Sequence, residues 1–76
     1  MSTASDNALA LTASADAITA VANSSQSSNF HSQGAAAHLA ASNAWLAVGN
    51  QRMTTYHSSQ SSTHTTTAGQ LKTAGK

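Results

Sequence analysis

The sequence predicts an all-α chain: a two-helix hairpin, or one long bent helix, ordered by packing against other subunits. Three observations carry this reading. Alanine, serine and threonine supply 40 of the 76 residues and there is no proline, so nothing forbids long helices. Apolar side chains recur at helical spacing in two segments, first Leu11, Ile18 and Val21, then Leu39, Leu46 and Met53. The two acids, Asp6 and Asp16, lie toward the front and the three bases, Arg52, Lys72 and Lys76, toward the back, an order that complements a helix dipole.

Each element follows from local chemistry. Thr3 followed by Asp6 has the spacing of a capping box, which places the start of a first helix near Ala4 and its end near residue 24. Residues 23–28 read NSSQSS, short hydroxyl and amide side chains that compete for backbone hydrogen bonds, and Gly34 follows as the expected break. A turn is therefore predicted within 23–34. The second helix is predicted over about 35–62, from GAAAHLAASNAWLAVGN onward, where Leu39, Leu46 and Met53 alternate with Ser42, Gly49 and Tyr56 in a heptad seam. Thr63 and Thr65 to Thr67 have poor helix propensity, so a strand competes with helix there, and 68–76 reads as a polar, basic tail. The whole chain, 1–76, forms one small unit.

Composition narrows the function classes. Side chains larger than alanine that favour burial number 13, too few for a chain of this length to build a sizeable core alone. With no cysteine there is no disulfide or thiolate site to compensate. A formal charge of +1 provides no electrostatic case for nucleic acid. The longest apolar-leaning run, 35–48, is interrupted by His38, Ser42 and Asn43 and is too short to span a bilayer. A nearly uncharged, alanine-rich surface is poorly defended against association, so a homo-oligomer or polymer is expected, with no small-molecule substrate and no cofactor. The predicted assembly interface comprises Leu11, Ile18, Val21, Leu39, Trp45, Leu46, Gly49, Met53 and Tyr56. Trp45 reads as a packing anchor among small residues rather than as a ligand-stacking ring.

The four histidines fall in two pairs seven residues apart, His31 with His38 and His57 with His64. On one helix that separation is about 10 Å, too long for a shared metal, so a metal site would need histidines from different helices or subunits. Polar surface residues are one reading, and a pH response is another, because imidazoles titrate near neutrality. Only Asp6 and Asp16 could orient a catalytic base, and no rigid pocket is predicted, so an enzyme is not expected.

The segments ADAITAVANSSQ, AAAHLAASNAW with LAVGNQ, and the hydroxyl-rich stretch ending TTTAGQ resemble the small structural subunits of R bodies, the refractile-body or killing-trait family. The matching positions are Asp16 to Thr19, Ala35 to Leu39 and Thr65 to Gln70. The resemblance implies a bacterial cytoplasmic protein that polymerises into a coiled ribbon, extends on acidification and acts in killing or membrane rupture. Together these lines predict a self-assembling subunit of a helical filament or ribbon. The alternatives are a small helical virion, tail or decoration protein, and a secreted helical-hairpin partner of the kind paired through a tryptophan–glycine turn. The amino terminus lacks a signal-peptide pattern, so cytoplasmic assembly is expected, with signal-independent export or incorporation into a particle as further possibilities.

Overall fold

A computed structural model describes residues 3–76 and is all-helical, with three helices: α1 (Ala4–Ser25), α2 (Ser28–Val48) and α3 (Gln51–Thr73). The central helix α2 packs against both α1 and α3, and the described chain measures 43 × 20 × 12 Å, a flat three-helix slab.

The first helix starts where its cap dictates. Thr3 Oγ1 accepts from the Asp6 amide at 3.1 Å while the Asp6 carboxylate accepts from the Thr3 amide at 3.3 Å. Two amides that have no helical partner are thereby satisfied. The helix ends at Gln26, whose left-handed backbone (φ 54°) is held by its own side chain donating to the Asn23 carbonyl at 2.8 Å. This turn lies inside the predicted window. The next helix begins at Ser28, whose amide donates to the carbonyl of Lys76 at 3.2 Å, so the segment after α3 closes the front of α2.

Three predictions need correction. The two-helix hairpin is a three-helix unit, because the predicted second helix is cut at Gly49 and Asn50. Gly49 adopts φ 87°, its amide donates to the Leu46 carbonyl at 3.0 Å, and the Asn50 amide donates to the Trp45 carbonyl at 3.0 Å, the Schellman pattern of a helix stop. Asn50 then caps α3 by accepting from the Met53 amide at 3.1 Å. A stop and a start on adjacent residues reverse the chain with no loop between, and the Leu39, Leu46, Met53 seam is divided between two helices.

Gly34, the expected break, lies buried inside α2. A β-carbon there would meet ring atoms of His64 at 3.2–3.3 Å, so the missing side chain admits the imidazole of the neighbouring helix. The predicted tail is mostly helical, since α3 continues to Thr73, and the threonine-rich stretch left open between helix and strand is helical too. Thr65 Oγ1 donates to the Ser61 carbonyl at 3.0 Å and Thr73 Oγ1 to the Gly69 carbonyl at 3.0 Å, which satisfies those hydroxyls within the helix. Packing of Ser61, His64 and Ala68 against α2 supplies what intrinsic propensity lacks.

The interior has an unusual composition. Ala8, Ala15 and Ala22 are fully buried on α1, and Ala41, Ala44, Trp45 and Ala68 complete the buried apolar set among the described residues. Trp45 packs with Ala8 and Ala44, flanked by Leu11, Val48 and Met53. The remaining buried side chains are polar: Ser42 and all four histidines.

Candidate functional site

The histidines occupy the centre of the slab, where the polar surface reading placed none of them. Their relative exposures are 3% for His31, 1% for His38, 0% for His57 and 4% for His64. Two come from α2 and two from α3, and the heptad step keeps each pair on one face of its helix. Because α2 and α3 pair in opposite senses, His38 meets His57 and His31 meets His64, each through Nδ1 atoms 2.8 Å apart. The ring centroids follow one another at 5.0 Å (His57 to His38), 5.4 Å (His38 to His64) and 5.0 Å (His64 to His31). The result is a continuous imidazole ladder with rungs alternating between the two helices.

The first helix contributes two threonines in the same seven-residue step. Thr19 Oγ1 lies 2.8 Å from Nε2 of His38 and 3.1 Å from Nε2 of His64, bridging two rungs. Thr12 Oγ1 lies 3.3 Å from Nε2 of His57, donates to its own helix at the Ala8 carbonyl (2.8 Å) and accepts from Nε1 of Trp45 (2.8 Å). Fully buried alanines at 8, 15 and 22 remove the bulk that would hold α1 away. The same period therefore sets small residues at the contact, threonines beside them, and histidines with Trp45 across from them.

Burial favours the uncharged ring. Desolvation is the largest influence on His38, His57 and His64 and lowers all three below the ordinary value of 6.5. His57 and His64 further lower His38, and His31 further lowers His64, whereas Asp16 opposes the shift at His38 and His57. Around neutral pH these three rings are therefore held in the uncharged form within the hydrogen-bonding network.

No family model, curated protein or solved structure matches this chain. The histidines do come from different helices, the condition set for metal binding, but among the described residues no group of three or more histidine, cysteine or acidic side chains is placed to hold a metal ion. Beside His31 and His64 lies a cleft of about 190 Å³ walled by Thr19, Asn23, Gln26, Gln60, Thr63 and Thr67, all uncharged. Among the described residues no helix is long and apolar enough to cross a membrane.

The predicted interface residues are dispersed. Trp45 is a core residue of the chain itself, Leu11, Ile18 and Met53 are half-buried, and Val21, Leu39, Leu46 and Tyr56 are exposed, with Gly49 in the turn. Tyr56 sets its ring edge against His57, with centroids 4.9 Å apart. Sequence reasoning gave Thr12 and Thr19 no part in the site. The signal for the threonines was present: Thr12 and Thr19 repeat at the same interval as His31 with His38, and as His57 with His64.

Proposed function

We propose that this chain is the structural subunit of a helical homopolymer, a filament or ribbon, whose packing responds to pH through its histidine core. The observation that carries the reading is an inverted distribution of side chains. Among the described residues Trp45 is the only large apolar side chain that is buried, while every histidine is. Leu46 is 60% exposed, Leu9 57% and Leu39 52%, with Val21, Phe30 and Tyr56 also exposed. Leu39 and Leu46 stand one heptad apart on α2 beside alanines that allow close approach. Apolar surface that one chain leaves uncovered is available to neighbouring copies, and burying it supplies the stability that the small alanine core does not.

The similarity of the three segments to R-body subunits favours a ribbon, and a neutral histidine core supports a response to acid. Electron microscopy of the purified full chain at pH 8 and pH 5 tests both parts. Regular polymers formed by this chain alone are expected at pH 8, with a changed shape or dissociation at pH 5. A dispersed monomer at assembly concentrations would overturn the polymer reading, and polymers identical at both pH values would overturn the pH response.

A further inference from the structure

The hydrogen bonds around the imidazole ladder can be satisfied in one consistent way. Thr12 gives its hydroxyl hydrogen to the Ala8 carbonyl at 2.8 Å and receives the Trp45 indole hydrogen. Its contact with Nε2 of His57 therefore needs the hydrogen on the ring, leaving Nδ1 of His57 a bare acceptor. Nδ1 of His38, 2.8 Å away, must then carry a hydrogen, which leaves Nε2 of His38 an acceptor. Thr19, whose hydroxyl hydrogen is not given to its own helix, supplies that hydrogen at 2.8 Å and accepts from Nε2 of His64 at 3.1 Å. Nδ1 of His64 is then an acceptor and Nδ1 of His31 the donor to it. The chain of donors ends on Nε2 of His31, a buried nitrogen with a free lone pair and no partner among the described residues.

We propose that these residues form a single proton relay, which takes up one proton at Nε2 of His31 and passes it through His64, Thr19 and His38 to His57. Uptake from hydronium breaks an O–H bond, releases water and forms an N–H bond at Nε2 of His31. The existing hydrogen on Nδ1 of His31 then crosses to Nδ1 of His64, the Nε2 hydrogen of His64 crosses to Thr19, and the Thr19 hydroxyl hydrogen crosses to Nε2 of His38. Last, the Nδ1 hydrogen of His38 crosses to Nδ1 of His57. At each step one bond to hydrogen breaks and one forms, and a single positive charge moves inward. The relay is blind at its inner end, since Thr12 is committed to a backbone carbonyl. Its capacity is one proton, because every other ring nitrogen either carries a hydrogen or faces one. A second proton would set two N–H groups against each other across a 2.8 Å gap.

Burial opposes a positive charge on His38 and His57, and one nearby acid partly offsets that cost. On α1, Asp16 favours the charged form of both His38 and His57. On α2 the titratable groups are the two relay histidines themselves, and on α3 they are His57, His64, Tyr56 and the exposed Arg52 and Lys72, with Lys76 exposed beyond the end of α3. The open cleft lies at the His31 end and the acid acts on the other. The relay is a property of the folded chain, so it stands or falls separately from assembly.

Nitrogen-15 NMR of the histidine-labelled full chain, in solution or as the sedimented assembly, reads the tautomers and their titration directly. Above pH 7 the expected pattern is Nε2–H on His57 and His64 and Nδ1–H on His31 and His38. On acidification all four rings should respond together in a first step worth one proton per chain. Thr19→Val, which keeps the shape and removes the hydroxyl, should confine that step to His31 and His64, and Thr19→Ser should restore it to all four. Circular dichroism confirms that each variant remains helical. A different tautomer pattern, four independent titrations, or a Thr19→Val variant in which all four rings still respond together would each overturn the relay. Should Thr19→Val unfold, the wild-type tautomers and the proton count of the first step decide alone.

Discussion

Nδ1 of His38 lies 2.8 Å from Nδ1 of His57, an approach open to two imidazoles only while one of the facing nitrogens is unprotonated. Two such contacts and the bridging Thr19 make the centre of this protein a network that acid opposes.

Stability should therefore fall with acidity. The folded state holds His38, His57 and His64 below 6.5, so below that pH the unfolded chain binds more protons than the folded one. Stability is full above about pH 6.5 and declines as pH drops through the window beneath it, by at most about 1.4 kcal/mol per pH unit for each histidine concerned. Urea denaturation at pH 8, 6 and 5 measures this, and an unchanged midpoint across the series would contradict the neutral core.

Replacing His38 with leucine fills the space with an apolar side chain of similar bulk but strands Nδ1 of His57 and the hydroxyl of Thr19. The expected loss is about 1–3 kcal/mol, read as a lower thermal midpoint at pH 8. A variant as stable as the parent would show that the hydrogen bonds contribute little beyond filling space.

Two glycine-to-alanine changes should act in opposite directions. In Gly34→Ala the new methyl meets the His64 ring at 3.2–3.3 Å, whereas nothing lies within 4 Å of a methyl at Gly69. Alanine at position 69 should add about 0.5–1 kcal/mol through helix propensity. At position 34 the crowding outweighs that gain, and a net loss of about 1 kcal/mol is expected. Parallel thermal melts decide it, and stabilisation by both changes would mean that His64 does not need the gap.

Leu46→Asp tests the outer surface. Leu46 is 60% exposed in the single chain, so helicity and melting should change by no more than about 0.5 kcal/mol. Assembly seen by electron microscopy should be lost, because a neighbouring copy would then bury an unpaired charge. Normal polymers from this variant would place the contact on another face.

Much of the architecture was legible locally. Thr3 and Asp6 marked the start of α1 because a capping box is made within four residues. Residues 23–28 marked its end because hydroxyl and amide side chains compete for backbone hydrogen bonds there. The Gly49-Asn50 stop and start was just as local, and the heptad seam running across it concealed it. By contrast, the helical state of Thr63 to Thr67 was not readable from propensity, since packing of His64 and Ala68 on α2 overrides it.

The sequence by itself determined the helical class, the seven-residue period and the scarcity of large apolar side chains, because each depends only on residue types and spacing along one chain. Tertiary structure alone decided that Gly34 is a cradle and not a break, that the histidines lie inside while the leucines lie outside, and that Thr12 and Thr19 join them. The reason is the antiparallel register of α2 against its two neighbours. The seven-step that separates His31 from His38 by two helical turns is the step that sets each one against a histidine of α3 and Thr19 between the rungs.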